Sequence, residues 1–182
     1  MLLVFDMLDT LITSKTRIKL LLKFFLNSRT RDYLRGLEAE IGGSSNSIRL
    51  ELNKFEQAGL LKASTTGNRK VFEANTEHPF YSEINSLLRK YIGIDKIIDQ
   101  VISKLGDLQS VYLTGDLARG SDSNIMDLIF VGDIDRSYLV DLIDKAERLI
   151  QRKIRYVIYS SAERDEVRQR MEDELALLIW GN

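Results

Sequence analysis

The sequence predicts an α+β protein of two domains, a mainly helical one followed by a small α/β one. The first half contains three segments with helical periodicity and then two short strand-like segments, whereas the second half alternates helical and strand-like segments. The halves also differ in charge: residues 1–92 contain 14 Lys and Arg against 10 Asp and Glu, and residues 93–182 contain 12 against 17. A basic front half joined to an acidic back half indicates an anion-binding module attached to a part with another role.

Length and composition exclude several classes of protein. The chain has 182 residues, 44% of them hydrophobic, which is enough to bury a core in one or two small domains. No apolar run approaches the roughly 18 residues of a membrane helix, and the N-terminus, MLLVFDMLDT, carries acidic residues where a signal peptide needs basic ones. We therefore expect a cytoplasmic protein. With no cysteine and one histidine, a metal would depend on carboxylates, which favours magnesium.

The first domain is predicted over residues 14–79, after an N-terminal extension of residues 1–13. Ser14 is the predicted N-cap of a helix whose apolar residues recur at helical spacing from Ile18 to Leu26. A second, short helix is predicted for YLRGLEAEI, with Leu34, Leu37 and Ile41 on its inner side, and the Gly42-Gly43 pair ends it.

A third helix and a hairpin complete the first domain. The helix is predicted for SNSIRLELNKFEQAG, with Ser44 or Ser45 as its N-cap. Two strand-like segments follow, LLKAS and KVFEA, joined by a turn around Gly67-Asn68. This order of elements is that of a winged helix-turn-helix. The run SSNSIRLELNKFEQAGLLKASTTGNRKVF resembles the winged-helix DNA-binding domains of ArsR-like transcriptional regulators.

The resemblance implies that the third helix is a recognition helix, that the hairpin is the wing, and that the partner is double-stranded DNA. Polar side chains on the exposed side of the helix would contact base edges, and basic residues on the wing would contact phosphates. The expected DNA-binding residues are Ser45, Asn46, Arg49, Asn53, Arg69 and Lys70. Further candidates for phosphate contacts on the first helix are Lys15, Arg17 and Lys19. The alternative is a protein-interaction module with ordinary solvated charges.

A linker helix and a second domain follow. Residues 80–93 predict the linker helix, and residues 94–182 read helix, strand, strand, helix, strand, helix. The first of these helices is predicted over Ile94–Leu105 and the last over Ala162–Ile179. Because winged-helix regulators usually act as dimers, the Leu- and Ile-rich helices between residues 80 and 105 are candidate surfaces for a homodimer.

Residues 111–133, VYLTGDLARGSDSNIMDLIFVGD, have the pattern of a site: a strand, a polar Gly/Ser/Asp loop and a second strand. The stretch resembles the opening of the minimal nucleotidyltransferase domain (DNA polymerase beta-like), which has hydrophobic-Gly-Ser, then Ala-Arg-Gly, then a strand with Asp-x-Asp. The match consists of Gly115, Ala118-Arg119-Gly120 and Asp127. The sequence departs from the family at Asp116, where the family has Ser, and at Ile125, where it has its first metal-binding Asp.

These departures argue against the family's chemistry. Nucleotidyl transfer needs two or three carboxylates that converge on divalent cations, and the third acid would lie in KIRYVIY, where this chain has Arg155. A cation at that position opposes metal binding. We therefore expect no catalytic residue, no metal site and no cofactor. The loop is either a retained nucleotide site or a relic in which Arg119 pairs with Asp116 or Asp122. The residues of the vestigial nucleotide site would be Gly115, Asp116, Arg119, Gly120, Ser121 and Asp127.

Together these features predict a DNA-binding transcriptional regulator whose nucleotidyltransferase-like domain serves in sensing or dimerisation, with a nucleotide as the candidate effector. Two alternatives stay open. One is an active nucleotidyltransferase, dependent on Mg²⁺ and a nucleotide, that the winged helix directs to its substrate. The other is an antitoxin-like partner of a second protein.

Overall fold

A computed structural model of the chain describes Leu8 and residues 10–181. The chain divides into two compact units, Met1–Tyr91 and Ile92–Asn182. Each unit contains helices and a sheet, so the fold class is α+β, as the sequence predicts. Most of the predicted N-terminal extension lies outside the described residues. In the described part of the chain, no helix is long and apolar enough to span a membrane.

The first unit combines helices with a small antiparallel sheet of strand order β1–β3–β2. A π-helical turn, Leu22–Leu26, continues its first helix directly. Its described elements are α1 (Lys15–Leu21), β1 (Arg31–Tyr33), α2 (Leu34–Ile41), α3 (Ser45–Gln57), β2 (Leu61–Thr66), β3 (Arg69–Ala74) and α4 (Tyr81–Ile92).

Side-chain caps fix where two of these helices begin. Ser14 Oγ accepts a hydrogen bond from the backbone N–H of Arg17 at 3.2 Å, which confirms Ser14 as the N-cap of α1. At α3 the cap is Ser44, whose Oγ accepts from the N–H of Ser47 at 3.2 Å. Ser45, the other candidate cap, is therefore the first residue of the helix. The predicted extent of α3 is confirmed.

Strand β1 was not predicted from the sequence. Residues 31–33 lie in a polar segment that we expected to be a loop followed by the start of α2. In the structure Tyr33 is paired with Val71 of β3 and Arg31 with Glu73, so the hairpin gains a third strand. Arg31 Nε also lies 2.6 Å from a carboxylate oxygen of Glu73. The pairing partner is about forty residues away in sequence, which is why local composition gives no sign of the strand.

The second unit is built on a four-stranded sheet of order β6–β5–β4–β7, in which β5 and β6 are parallel and the other pairs are antiparallel. Two short 3-10 helices, Ile102–Lys104 and Ser161–Glu163, connect neighbouring elements. The other described elements are α5 (Ile94–Gln100), β4 (Leu108–Thr114), α6 (Gly115–Ala118), β5 (Ile125–Gly132), α7 (Arg136–Ile150), β6 (Lys153–Tyr159), α8 (Arg164–Asp173) and β7 (Leu177–Gly181).

Two predicted helices of this unit are shorter than expected. The helix predicted over Ile94–Leu105 ends at Gln100 and gives way to 3-10 geometry. The terminal helix predicted over Ala162–Ile179 was wrong beyond Asp173: Leu175 has φ of 57°, which breaks the helix, and β7 follows. Strand β7 pairs with β4, so the backbone groups of β4 are bonded on both sides. A short apolar run in the sequence does not distinguish the end of a helix from a strand. Residues 177–181 form a strand because they pair with the edge of β4 that β5 does not cover.

Candidate functional site

A concave groove of about 480 Å³ lies between α3, the β2–β3 hairpin and the start of α2, all within the first unit. Its floor is apolar, and its rim carries cations and amides, which are groups that donate hydrogen bonds to phosphate oxygens. The groove is lined by Tyr33, Leu34, Arg35, Arg49, Leu52, Asn53, Asn68, Arg69, Lys70 and Phe72.

Helix α3 presents its polar side to this groove because its apolar side is fixed in the core. Ile48, Leu52 and Phe55 are buried, while Arg49 and Asn53, one turn apart, are exposed. The helix is also held by an ion pair with α1, in which Arg17 Nε and Nη2 donate to the Glu51 carboxylate at 2.8 and 3.2 Å. The position of Arg49 and Asn53 therefore follows from the packing of the opposite face.

The cations on the rim differ in how far they are already paired. Lys70 Nζ lies 2.6 Å from a Glu56 oxygen, which neutralises part of its charge. The Arg69 guanidinium lies over the Tyr33 ring, 4.6 Å from its centroid, which fixes the side chain without cancelling its charge. Arg35 and Arg49 form no ion pair within the described residues. Three arginines at this groove are thus available to an anion.

The structure brings together four of the six predicted DNA-binding residues: Arg49, Asn53, Arg69 and Lys70 line the groove. Ser45 and Asn46 do not line it, but both are exposed on the first turn of α3.

The expectation for the first helix changes. Arg17 is bound to Glu51, and Lys19 Nζ donates to the carbonyl of Ile41 at 2.8 Å, so both have structural roles. Lys15 remains exposed. Of the three basic residues proposed on this helix, it is the one without such a contact in the described residues.

Sequence reasoning missed Tyr33, Leu34 and Arg35. They reach the groove because β1 joins the hairpin and turns directly into α2. Asp32 fixes that turn: one of its oxygens accepts from the N–H of Tyr33 at 2.8 Å, and Lys23 Nζ lies 3.6 Å from the other. Gly36 has no room for a Cβ beside the Asp32 carboxylate. A glycine within a helical pattern, four residues after an aspartate, was the one local sign of this arrangement.

The second unit contains the residues of the predicted vestigial nucleotide site. Gly115 has φ of 68° and begins α6, Arg119 caps that helix at its C-terminal end, and Gly120 follows with φ of 81°. The N–H of Ser121 donates to the carbonyl of Asp116 at 3.0 Å, which closes the loop. Asp116 and Arg119 are exposed. The structure therefore places these five residues on one compact loop after β4.

Asp127, the remaining carboxylate of the predicted clamp, is occupied by Arg155. The two residues are directly opposite each other in the β5–β6 ladder, and Arg155 Nε and Nη2 donate to the two carboxylate oxygens at 2.6 and 2.9 Å. The hydrogen bond to Asp127, then its charge, raises the pKa of Arg155, and Asp116 adds a smaller effect. Ile125 is opposite Lys153 in the same ladder. The Lys153 ammonium is bound to Glu147 at 2.7 Å, so Arg155 is the cation that occupies the predicted clamp.

Asp122 in this loop pairs with Arg152, and not with Arg119 as the relic hypothesis expected. Asp122 accepts from Arg152 Nη2 at 3.0 Å, and Arg152 also donates to the carbonyl of Ser123. Arg119 is bound to neither Asp116 nor Asp122 in the ion pairs of the described residues. No group of three or more His, Cys, Asp or Glu that could hold a metal ion occurs among the residues that the structure describes.

Comparisons with protein-family models, with curated proteins and with solved structures find no match to this chain.

Proposed function

We propose that this chain is a DNA-binding transcriptional regulator. Its first unit would act as a winged helix, with α3 as the recognition helix and the β2–β3 hairpin as the wing. The observation that carries the proposal is the groove between them, where Arg35, Arg49 and Arg69 surround an apolar floor without an acidic partner.

Docking geometry gives this groove a role. A recognition helix in the major groove and a wing in the adjacent minor groove are separated by one sugar-phosphate strand, which must cross the space between them. In this chain that space is the groove, where the guanidinium groups of Arg35 and Arg69 would contact phosphates. Ser45, Asn46 and Arg49, which are exposed on α3, would reach base edges.

Fluorescence anisotropy with a duplex selected from a random library tests the proposal. We expect affinity that falls steeply between 50 and 200 mM salt, as phosphate contacts require. Arg49→Ala should cost on the order of 1 to 3 kcal/mol and relax sequence preference, whereas Arg35→Ala and Arg69→Ala should weaken all duplexes alike and lower the salt slope by about one each. Arg148→Ala removes an exposed arginine of α7 and is the matched control. It should change neither the duplex affinity nor the salt slope.

Two results would reject this reading of the first unit. One is the absence of duplex binding at low salt in the selected library and in genomic fragments. The other is an equal loss of affinity in Arg35→Ala, Arg49→Ala and the Arg148→Ala control, because a general charge effect would then explain the binding.

For the second unit we propose a non-catalytic role in sensing or dimerisation, on a nucleotidyltransferase-like fold. The bidentate pair of Arg155 with Asp127 supports this role, because it puts a positive charge where a catalytic metal would have to sit. Calorimetry with a panel of nucleotides, with and without Mg²⁺, tests it on the wild type and on Asp127→Ala. Mg²⁺-dependent nucleotide binding that is lost in Asp127→Ala would favour the enzymatic alternative instead.

A further inference from the structure

Strand β6 forms one edge of the sheet in the second unit. It pairs with β5 on one side, and among the residues that the structure describes no further strand pairs with it on the other. The N–H of Lys153 points towards β5 and donates to the carbonyl of Asn124 at 2.8 Å. The next N–H, that of Ile154, points away from β5 and donates to a Glu147 oxygen at 2.8 Å. A side-chain carboxylate thus occupies the first position of this free edge.

Beyond that position the free edge of β6 is open. Because the backbone groups of a strand alternate in direction, the N–H and C=O groups of Tyr156 and Ile158 point away from β5, as those of Ile154 do. No hydrogen bond to them on that side occurs within the described part of the chain. Residues 156–159 are uncharged, β-branched or aromatic, and Val157 is 50% exposed. Such an edge is a template on which an extended chain can add as a further strand.

The charges beside the free edge indicate which kind of chain fits it. Lys153 and Arg155 have 79% and 68% of their side chains exposed. The acids to which they are bound, Glu147 and Asp127, are only 17% and 20% exposed, so the outer member of each pair is the cation. Arg155 donates to Asp127 through Nε and Nη2, which leaves Nη1 for a further acceptor. The edge therefore presents hydrogen-bond donors that suit carboxylates.

We propose that the free edge of β6 binds an extended acidic segment of a partner protein, which adds to the sheet as a further strand. Its backbone pairs with Tyr156 and Ile158, and its carboxylates meet Lys153 and Arg155. A second copy of β6 does not supply this complement, because KIRYVIY contains two cations and no acid. The surface is separate from the groove proposed to contact DNA, so the inference goes beyond the proposed function and does not depend on it.

Fluorescence anisotropy of the full chain with a labelled peptide, about eight residues of alternating Glu and Val, tests the proposal. We expect saturable binding that weakens as salt rises, and about tenfold or more weaker binding of the matched peptide of alternating Lys and Val. Amide hydrogen exchange locates the contact. The peptide should slow exchange at Tyr156 and Ile158 about tenfold or more, whereas the N–H of Ile154, already bound to Glu147, should change little.

Two substitutions at residue 158 separate the backbone contact from the side chain. Ile158→Pro removes one outward N–H at an edge where proline is tolerated, and Ile158→Ala keeps that N–H and is the matched control. The proline variant should bind the acidic peptide about tenfold or more weakly than the alanine variant, with the same circular dichroism spectrum.

Three results would overturn the proposal: no binding at about 1 mM acidic peptide, equal affinity for the acidic and basic peptides, or equal affinity of the two variants. Sedimentation equilibrium without peptide covers the remaining occupant. Self-association of the wild type that is lost in Ile158→Pro but kept in Ile158→Ala would identify a second copy at this edge and would also reject an acidic partner.

Discussion

At the scale of single residues, Gly115 and Asp127 depend on each other. The Asp127 carboxylate lies where a Cβ at residue 115 would be, and the φ of 68° at Gly115 is a conformation that other residues rarely adopt. This close approach leaves the Asp127 carboxylate free to face Arg155. The glycine of the motif therefore has a structural role in this chain that is independent of any nucleotide.

Replacing this glycine should destabilise the second unit. We expect Gly115→Ala to lower the free energy of unfolding by about 1 to 3 kcal/mol, because the new methyl group is strained and displaces Asp127. Gly106→Ala is the control, since its Cβ would meet nothing within 4 Å and its φ is not positive; it should be neutral or slightly stabilising. Urea denaturation measures both variants. Equal midpoints for the two would contradict the packing described.

Glu51 gives a prediction about pH. The hydrogen bond from Arg17, more than any other cause, holds the pKa of Glu51 below its usual value of 4.5. A carboxylate with a lowered folded-state pKa contributes stability that is fully present above about pH 5 and is lost as the pH falls through that pKa. Glu51→Gln should therefore cost about 1 to 3 kcal/mol at pH 7, and the difference from the wild type should shrink in acid.

The control for Glu51 is Glu77→Gln. Lys62 lowers the pKa of Glu77 in the same direction, but Glu77 is exposed, with 80% of its side chain accessible. Solvent screens such a pair, so its loss should change stability much less. Thermal unfolding of both variants from pH 7 to pH 3 makes the comparison. A pH-independent cost of Glu51→Gln would show that packing, and not ionisation, accounts for its effect.

At the scale of elements, the N-terminus of α3 affects both the stability of the helix and the proposed contact with DNA. Ser44 caps the helix, and the first turn beside it contains Ser45 and Asn46. An acidic cap satisfies the same backbone donors and interacts well with the helix dipole, but it also places a negative charge where DNA phosphates would approach.

The two effects can be separated at residue 44. Ser44→Ala should lower the free energy of unfolding by about 1 kcal/mol, because the cap is lost. Ser44→Asp should keep wild-type stability yet weaken duplex binding by about tenfold at low salt, with the loss fading as salt rises. Chemical denaturation and anisotropy on the same preparations give both quantities. If Ser44→Asp bound duplexes as tightly as the wild type, α3 would not approach phosphates at this end.

At the scale of the whole molecule, the chain divides into two compact units. In the second unit, α8 packs on one face of the sheet through a buried cluster that contains Tyr112, Ile129, Val131, Val167 and Met171. All the proposed DNA-contacting residues belong to the first unit. The core of one unit and the binding surface of the other should therefore respond independently to mutation.

Met171→Ala tests this independence. Met171 is 1% exposed, so its truncation should destabilise the second unit by about 2 to 5 kcal/mol. Duplex affinity of the full chain, measured below the onset of unfolding, should stay at the wild-type value. Val140→Ala is the control, since Val140 is 47% exposed and its loss should change stability little. A parallel fall in stability and duplex affinity would show that the second unit takes part in binding.

The sequence by itself determined the α+β class, the extent of α3, the cap at Ser14 and the hairpin around Gly67-Asn68. Each of these depends on local signals, namely apolar periodicity, a capping side chain or a turn dipeptide, which act over a few residues. The cation at residue 155 was also visible in sequence, as an arginine in place of an acid.

Only the tertiary structure decided which distant segments meet. It added β1 to the hairpin and so brought Tyr33 and Arg35 to the groove, it bound Arg17 to Glu51, and it turned the end of the predicted last helix into β7. In each case a strand edge gains a hydrogen-bonded neighbour, or a charged side chain gains an ion-pair partner, from a segment far away in sequence. The local sequence favours such pairings only weakly, because the free energy that stabilises them arises when the two distant segments come into contact.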